Sequence, residues 1–306
     1  MFKSILIPID ASTNAQNAAM VGFEFAQKLG ASVKVIHVLQ QRVMYPLQVE
    51  VFYDEEARAH GQEIIKPWPA HAERLGVQCK IAVIESELWN TGEAIVEAAK
   101  ESACDLIVMG THGREGLERQ MIGSVAERVS RLARQPVMLV RNSATNNTKI
   151  NPFEKLFVPV DGSDTSAMAL GVAHQLCRQL NASLEIAHVV PDLPIPLTDP
   201  VGPYAAFDYT GLAKTLEESG REILTKAVKN TTVGNVSSNL ILAGGRHISA
   251  AILRAAHDAS SDLIVIGTHG RSGMDRLLLG SVAEGVIHHA EVPVLLVRSS
   301  TVTSTC

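Results

Sequence analysis

Short apolar runs punctuate the chain. In the first half they fall at Ile5–Ile9, Val33–Leu39, Val77–Val83, Leu106–Met109 and Val137–Val140. These runs are rich in β-branched residues and nearly unbroken by polar positions. That pattern predicts strands of a parallel sheet covered on both faces, since a half-exposed strand would alternate. Between them, apolar residues recur at three- and four-residue spacing, which predicts helices over Ala15–Leu29, roughly Tyr53–Leu75, Glu93–Ser102 and Ser124–Ala133. The Ala18, Val21, Gly22, Phe25 and Leu29 stripe is one such face. Strands alternating with helices predict right-handed crossovers and a doubly wound, Rossmann-like α/β sheet. In sheets of this kind ligands sit beyond the carboxyl ends of the strands, where the winding direction switches.

The pattern is written twice. ILIPID at 5–10 returns as LFVPVD at 156–161, and SVKVIHVL at 32–39 as SLEIAHVV at 183–190, both with an offset of 151. DLIVMGTHGR at 105–114 then returns as DLIVIGTHGR at 262–271, now offset by 157, and GSVAE and PVMLVR/PVLLVR keep the second offset. The second copy therefore carries a net insertion of six residues between its second and fourth strand-like runs. A period near 150 is too long for a solenoid unit and marks a duplicated domain. The expected division is a first domain over 1–142, a polar linker over 143–152, a second domain over 153–299 and a tail over 300–306.

Composition narrows the class. At 306 residues, each half is long enough to bury its own core. Apolar residues make up 46% and charged residues 19%, as in folded soluble proteins. With 27 basic against 32 acidic side chains there is no excess charge to neutralise a nucleic-acid backbone. No run approaches a membrane span, and Pro8 and Asp10 interrupt the N-terminal apolar run too early for a signal peptide. Cys79, Cys104, Cys177 and Cys306 form no CxxC pair, so they are read as reduced thiols of a cytoplasmic protein, with no structural zinc.

Three segments reach the expected rim in each half. The first closes strand one: Pro8, Asp10 and Ser12, matched by Pro159, Asp161 and Ser163. The aspartate could accept from a ribose or an adenine amino group. Helix capping explains the same residues, and this segment by itself favours capping. The second is the glycine loop, Gly110-Thr111-His112-Gly113-Arg114, nine residues on to Gly123-Ser124, and its partner from Gly267 through Gly270 and Arg271 to Gly280-Ser281. Glycines let backbone N–H groups approach phosphate oxygens, and a helix opening at Gly-Ser offers amides and a positive dipole end to an anion. A purely structural turn would have to explain the same glycine spacing held twice around changed intervening residues. The third is His37-Val38 and His188-Val189, where backbone groups could read a base edge and the histidines could equally be satisfied core residues. His112, His269 and the His288-His289 pair are read as turn or helix-end residues. Neither a P-loop nor GxGxxG after the first strand is present, and GxSxG and HExxH are also missing. The site reads as one built to bind.

Taken in order and twice over, the (V/I)P(V/I)D strand, the HV pair, DLIVxGTHGR, G-x2-G-x9-G-[ST] and PVxLVR identify the chain as similar to a tandem universal stress protein of the ATP-binding branch. The resemblance covers nearly the whole chain. It implies a five-stranded parallel sheet in each half, with helices on both faces. ATP, or ADP or AMP, would sit at the crevice between strands one and four, with Mg2+ or Mn2+ accompanying the phosphates. By position, Pro8, Asp10 and Val38 would lie near adenine and ribose, and Gly110, Gly113, Arg114, Gly123, Ser124 and Val125 near the phosphates. The second half offers Pro159, Asp161, Val189, Gly267, Gly270, Arg271, Gly280, Ser281 and Val282, while Ser12, Met109, Ser163 and Ile266 complete the set. Single-domain relatives dimerise through the last strand, so PVMLVR and PVLLVR are expected to pair within this chain as an intramolecular pseudo-dimer.

The implied role is a nucleotide-dependent stress regulator with an unidentified protein partner and at most slow hydrolysis. Further homodimerisation stays open. Two alternatives also stand: a nucleotide-free interaction module, and a nucleotide-dependent transferase or adenylating enzyme. Glu115 and Glu118 fall inside the first glycine loop and would repel polyphosphate if they face it, so the second site is expected to bind more tightly. Segments 40–52 and 191–203 are read as rigid connections rather than lids.

Overall fold

A computed structural model describes residues 1–40, 55–86, 90–111, 122–141, 153–193, 209–231, 234–270 and 279–298. The first half runs β1 (Ser4–Pro8), α1 (Thr13–Leu29), β2 (Ser32–Gln40), α2 (Glu55–Ile65), α3 (Trp68–Leu75), β3 (Cys79–Ser86), α4 (Thr91–Glu101), β4 (Leu106–Gly110), α5 (Ser124–Leu132) and β5 (Val137–Val140). The second runs β6 (Lys155–Pro159), α6 (Asp164–Leu180), β7 (Ser183–Val190), α7 (Tyr209–Lys229), β8 (Val236–Leu242), α8 (Ile248–Asp258), β9 (Leu263–Gly267), α9 (Ser281–His289) and β10 (Val294–Val297).

The ten strands form one sheet in the order β3-β2-β1-β4-β5-β10-β9-β6-β7-β8. Each half contributes the expected five parallel strands. The halves meet where β5 and β10 pair antiparallel, with Met138 opposite Leu295 and Val137 opposite Leu296. This joins the two PVxLV strands as the family resemblance implied and leaves neither as an open edge. Contacts outside the ladder reinforce the seam. The Arg141 guanidinium donates to the His288 carbonyl at the end of α9, where a helix leaves carbonyls without intrahelical partners. Phe153, fully buried at the entrance to β6, stacks edge-on against Phe25 of α1 at 4.7 Å.

Alternation along β1 shows how the sheet sorts its core. Ile5, Ile7 and Ile9 enter the layer under α1, α3 and α6, while Leu6 enters the layer under α4, α5, α8 and α9. Both layers cross the seam, so the halves share their hydrophobic interior.

Two expectations about elements need correction. The single helix over Tyr53–Leu75 is, within the described residues, two helices: α2 ends at Ile65 and α3 starts at Trp68. Pro67 between them has no N–H for the helical ladder, and its ring crowds the carbonyl four residues back. The second half has no proline there and runs one 21-residue helix, α7. The third strand begins at Cys79 rather than Val77 and is not covered on both faces. It is a sheet edge, and Ile81 is 40% exposed. Its counterpart β8 forms the other edge, with Leu242 57% exposed.

The two copies also show how packing tolerates substitution. Gly22 on α1 lies so close to the sheet that an added Cβ would stand 2.6 Å from Ile7 Cδ1. The second copy has Ala173 and Val158 at these places, both buried, so one methyl has moved from strand to helix. Gly22→Ala is therefore expected to destabilise the protein by about 1–3 kcal/mol through overpacking. Adding Ile7→Val should bring stability back to within about 1 kcal/mol of wild type, a non-additivity typical of touching residues. Urea unfolding of the two single variants and the double variant checks this, and simple additivity would refute it.

Burial raises the Cys177 thiol to about 12 and the Cys79 thiol to about 11, so both stay protonated near neutral pH. Cys306 lies outside the described residues. Among the described residues, no helix is long and apolar enough to cross a membrane.

Candidate functional site

In each half, the strand that opens the fold is flanked by the second and fourth strands, with crossover helices leaving on opposite faces. β1 lies between β2 and β4, and β6 between β7 and β9. These are the switch points of the two doubly wound sheets, and those sequence-predicted residues that lie among the described ones gather at their carboxyl ends.

At the end of β1, the chain turns through Asp10, whose Oδ1 accepts the Ser12 N–H at 2.9 Å. Ser12 caps α1 by accepting from Ala15 N. The second half repeats this with Asp161, Ser163 and Ser166, so the serines perform the capping that the segment by itself suggested. The second turn is more heavily tied. Ser163 Oγ also donates to Asp161 Oδ1 at 2.6 Å and lies 3.1 Å from Thr165 Oγ1, which donates to the His269 carbonyl in the glycine loop. With both hydroxyl protons so committed, the tie between the first turn of α6 and strand four's loop is the Thr165 bond to the His269 carbonyl.

The glycines at the ends of β4 and β9 have a packing role that sequence reasoning missed. A Cβ on Gly110 would stand 3.0 Å from the Asn14 carbonyl oxygen, and one on Gly267 would stand 2.9 Å from the Thr165 carbonyl carbon and oxygen. The first turn of α1 or α6 rests directly on that strand end. Gly270 serves a different purpose, because a Cβ there would fall 2.8 Å from Asp161 Oδ2. Its missing side chain leaves a small space over the aspartate.

The loops close on themselves at their far end. Gly123 N–H donates to the Thr111 carbonyl, and Gly280 N–H to the Thr268 carbonyl, each at 2.7 Å. This places the first turns of α5 and α9 beside the ends of β4 and β9. Neither helix has a side-chain cap; Gly123 and Gly280 simply lead in with extended backbone. Ser124 and Ser281 are exposed, and Val125 and Val282 are half-buried. The outcome is a helix start with amides and a hydroxyl available to an acceptor.

Pro8, Pro159, Met109, Ile266, Val38 and Val189 form buried apolar walls around the same ends. Gly113, Arg114 and Arg271 lie outside the described residues, as do His112, Glu115, Glu118 and nearly all of the post-β2 and post-β7 segments. Among the described residues, no group of three or more metal-ligating side chains comes together.

An α/β protein with two switch-point crevices, at opposite strand-end edges of one continuous sheet because β5 and β10 run antiparallel, is what the fold and rim define. The model of the universal stress protein family matches residues 1–141 and again 152–298, and the chain belongs to that family. A universal stress protein of Mycobacterium tuberculosis is 26% identical over 305 residues, covering 97% of each chain. One from Methanocaldococcus jannaschii is 37% identical over 144 residues, which are 46% of this chain and 83% of that one. Among solved structures, a universal stress protein from Archaeoglobus fulgidus shares the fold across 96% of this chain and 98% of its own, at 20% identity and a TM-score of 0.67.

Proposed function

We propose that each half binds an adenine nucleotide at its switch-point crevice and that the protein acts as a nucleotide-dependent stress regulator with at most slow hydrolysis. The observation that carries this reading is the pair of helix starts at α5 and α9. Each lacks a side-chain cap and is tied beside the end of β4 or β9, next to the strand, β1 or β6, that ends in the aspartate turn. The phosphates would take the amides of Ser124 and Val125, and of Ser281 and Val282, with the Ser124 and Ser281 hydroxyls, while Gly123 and Gly280, whose N–H groups hold the loop ends, would let the phosphates approach closely. Gly113, Arg114, Gly270 and Arg271 would complete the phosphate loops. Asp10 and Asp161 would accept from ribose or the adenine amino group. The apolar walls at Pro8, Val38 and Met109, and at Pro159, Val189 and Ile266, would flank the base. A divalent cation, Mg2+ or Mn2+, would draw most of its oxygen ligands from phosphate and water.

The second site should bind more tightly. Its loop is tied to the first turn of α6 by the Thr165 hydroxyl, so less ordering remains to be done on binding. The test is the nucleotide content of purified protein, identified by chromatography after denaturation and followed by titration with ATP and Mg2+. Wild type, Gly123→Val, Gly280→Val and the double variant are compared, with thermal melting as the fold control. Nucleotide that survives Gly123→Val and disappears with Gly280→Val is the expected result. Wild-type protein that arrives empty and fails to take up ATP with Mg2+ would overturn the reading in favour of a nucleotide-free interaction module.

A further inference from the structure

The histidine of the HV pair is buried in both halves, with His37 7% and His188 8% exposed. Each ring reaches sideways from the second strand to the first. His37 Nδ1 lies 2.8 Å from the Ile9 carbonyl oxygen, and His188 Nδ1 lies 2.6 Å from that of Val160. A carbonyl only accepts, so Nδ1 carries the proton in both rings. The two carbonyls belong to the residues immediately before Asp10 and Asp161.

Ladder geometry shows what this bond replaces. The last main-chain bonds between these strands run from Ile9 N–H to the Ile36 carbonyl and from Val160 N–H to the Ala187 carbonyl, both at 2.8 Å. Backbone groups alternate sides along a strand, so Val38 faces the same neighbour as Ile36, and Val189 the same as Ala187. Val190 faces the opposite way, and its carbonyl indeed accepts from Ala243 N on the β8 side. The next donors to the Ile9 and Val160 carbonyls would therefore be the amides of Val38 and Val189. The imidazole holds each carbonyl instead, at the point where the first strand turns away into its aspartate.

Both copies make room for the ring in the same way. A Cβ on Gly61 of α2 would stand 2.8 Å from His37 Cδ2, and one on Gly220 of α7 would stand 2.8 Å from His188 Cδ2. A glycine inside a helix is unfavourable, yet it occurs opposite both rings although α2 and α7 differ in length.

We propose that His37 and His188 are positioning residues that set the Asp10 and Asp161 turns and keep the Val38 and Val189 amides directed into the crevices. The geometric effect stands by itself, while its consequence for affinity rests on the nucleotide reading above. His188→Phe keeps the ring's bulk and removes the donor, whereas His188→Asn can place an amide N–H near the Nδ1 position. Two readouts are taken on the full chain: hydrogen exchange at the Val160 and Ser163 amides, and titration with ATP and Mg2+. The Phe variant should exchange about tenfold faster at both amides and bind ATP about tenfold more weakly, the scale of one lost hydrogen bond. The Asn variant should restore both to within about threefold of wild type.

Unchanged exchange in the Phe variant, or no recovery in a folded Asn variant, overturns the proposal. So does nitrogen NMR of the wild-type ring showing Nε2 rather than Nδ1 protonated, a readout that stands even if the Phe variant does not fold. Wild-type protein that binds no ATP while the exchange results hold would remove the nucleotide reading and leave the positioning role in place.

Discussion

Leu295→Asp is expected to destabilise the protein by more than about 4 kcal/mol, enough to abolish its cooperative thermal transition or shift it strongly downward. Leu295 is 0% exposed and sits between Met138 of the first half, across the antiparallel seam, and Val265 of the second. A carboxylate there would have to ionise in a shared apolar core or take up a proton at a cost in folding. The same change at Leu242, an exposed residue of edge strand β8, should stay within about 0.5 kcal/mol. Equal effects at the two positions in guanidinium unfolding would mean that the continuous sheet does not persist in solution.

Gly267→Ala should cost about 1–3 kcal/mol and weaken the second site beyond that loss of stability. The clash is with the backbone of Thr165, which no rotamer change relieves. Either α6 lifts or the end of β9 drops, and both movements separate the Asp161 turn from the glycine loop. Gly110→Ala meets its nearest backbone atom at 3.0 Å instead of 2.9 Å and should be the milder of the pair. Thermal melts together with ATP titration of both variants separate stability from binding. A Gly267→Ala protein with wild-type stability would mean that α6 does not rest on β9 as described.

The repeated motifs divide between architecture and site in a way that spacing cannot reveal. The aspartate opening each DLIV run lies far from the rim: Asp105 accepts the Lys3 and Ser4 amides, and Asp262 those of Glu154 and Lys155, fastening the starts of β1 and β6. Thr111 and Thr268 are buried, and their carbonyls hold the returning ends of the glycine loops. Within one motif, then, the aspartate and threonine secure the strand and its loop, the first glycine admits the helix, and in the second copy Gly270 leaves space over Asp161. A motif records that several constraints occur together. It does not say which constraint acts on which residue, because packing distances of a few ångströms are set by elements distant in the chain.

The sequence by itself determined the duplication, the order of strands and helices, the parallel five-stranded sheet of each half and the carboxyl ends at which a site would gather. These follow from local periodicity and chain connectivity, which any stretch of sequence carries. The pairing of PVMLVR with PVLLVR came instead from the resemblance, whose single-domain members dimerise through the last strand. Only the tertiary structure decided which strands became edges, that Pro67 divides a helix which the second half leaves whole, that the glycines admit α1 and α6, and that His37 and His188 reach across to the carbonyls before the aspartates. Each of these depends on how closely one element approaches another. That approach is a property of the packed core, where a single methyl group changes the fit.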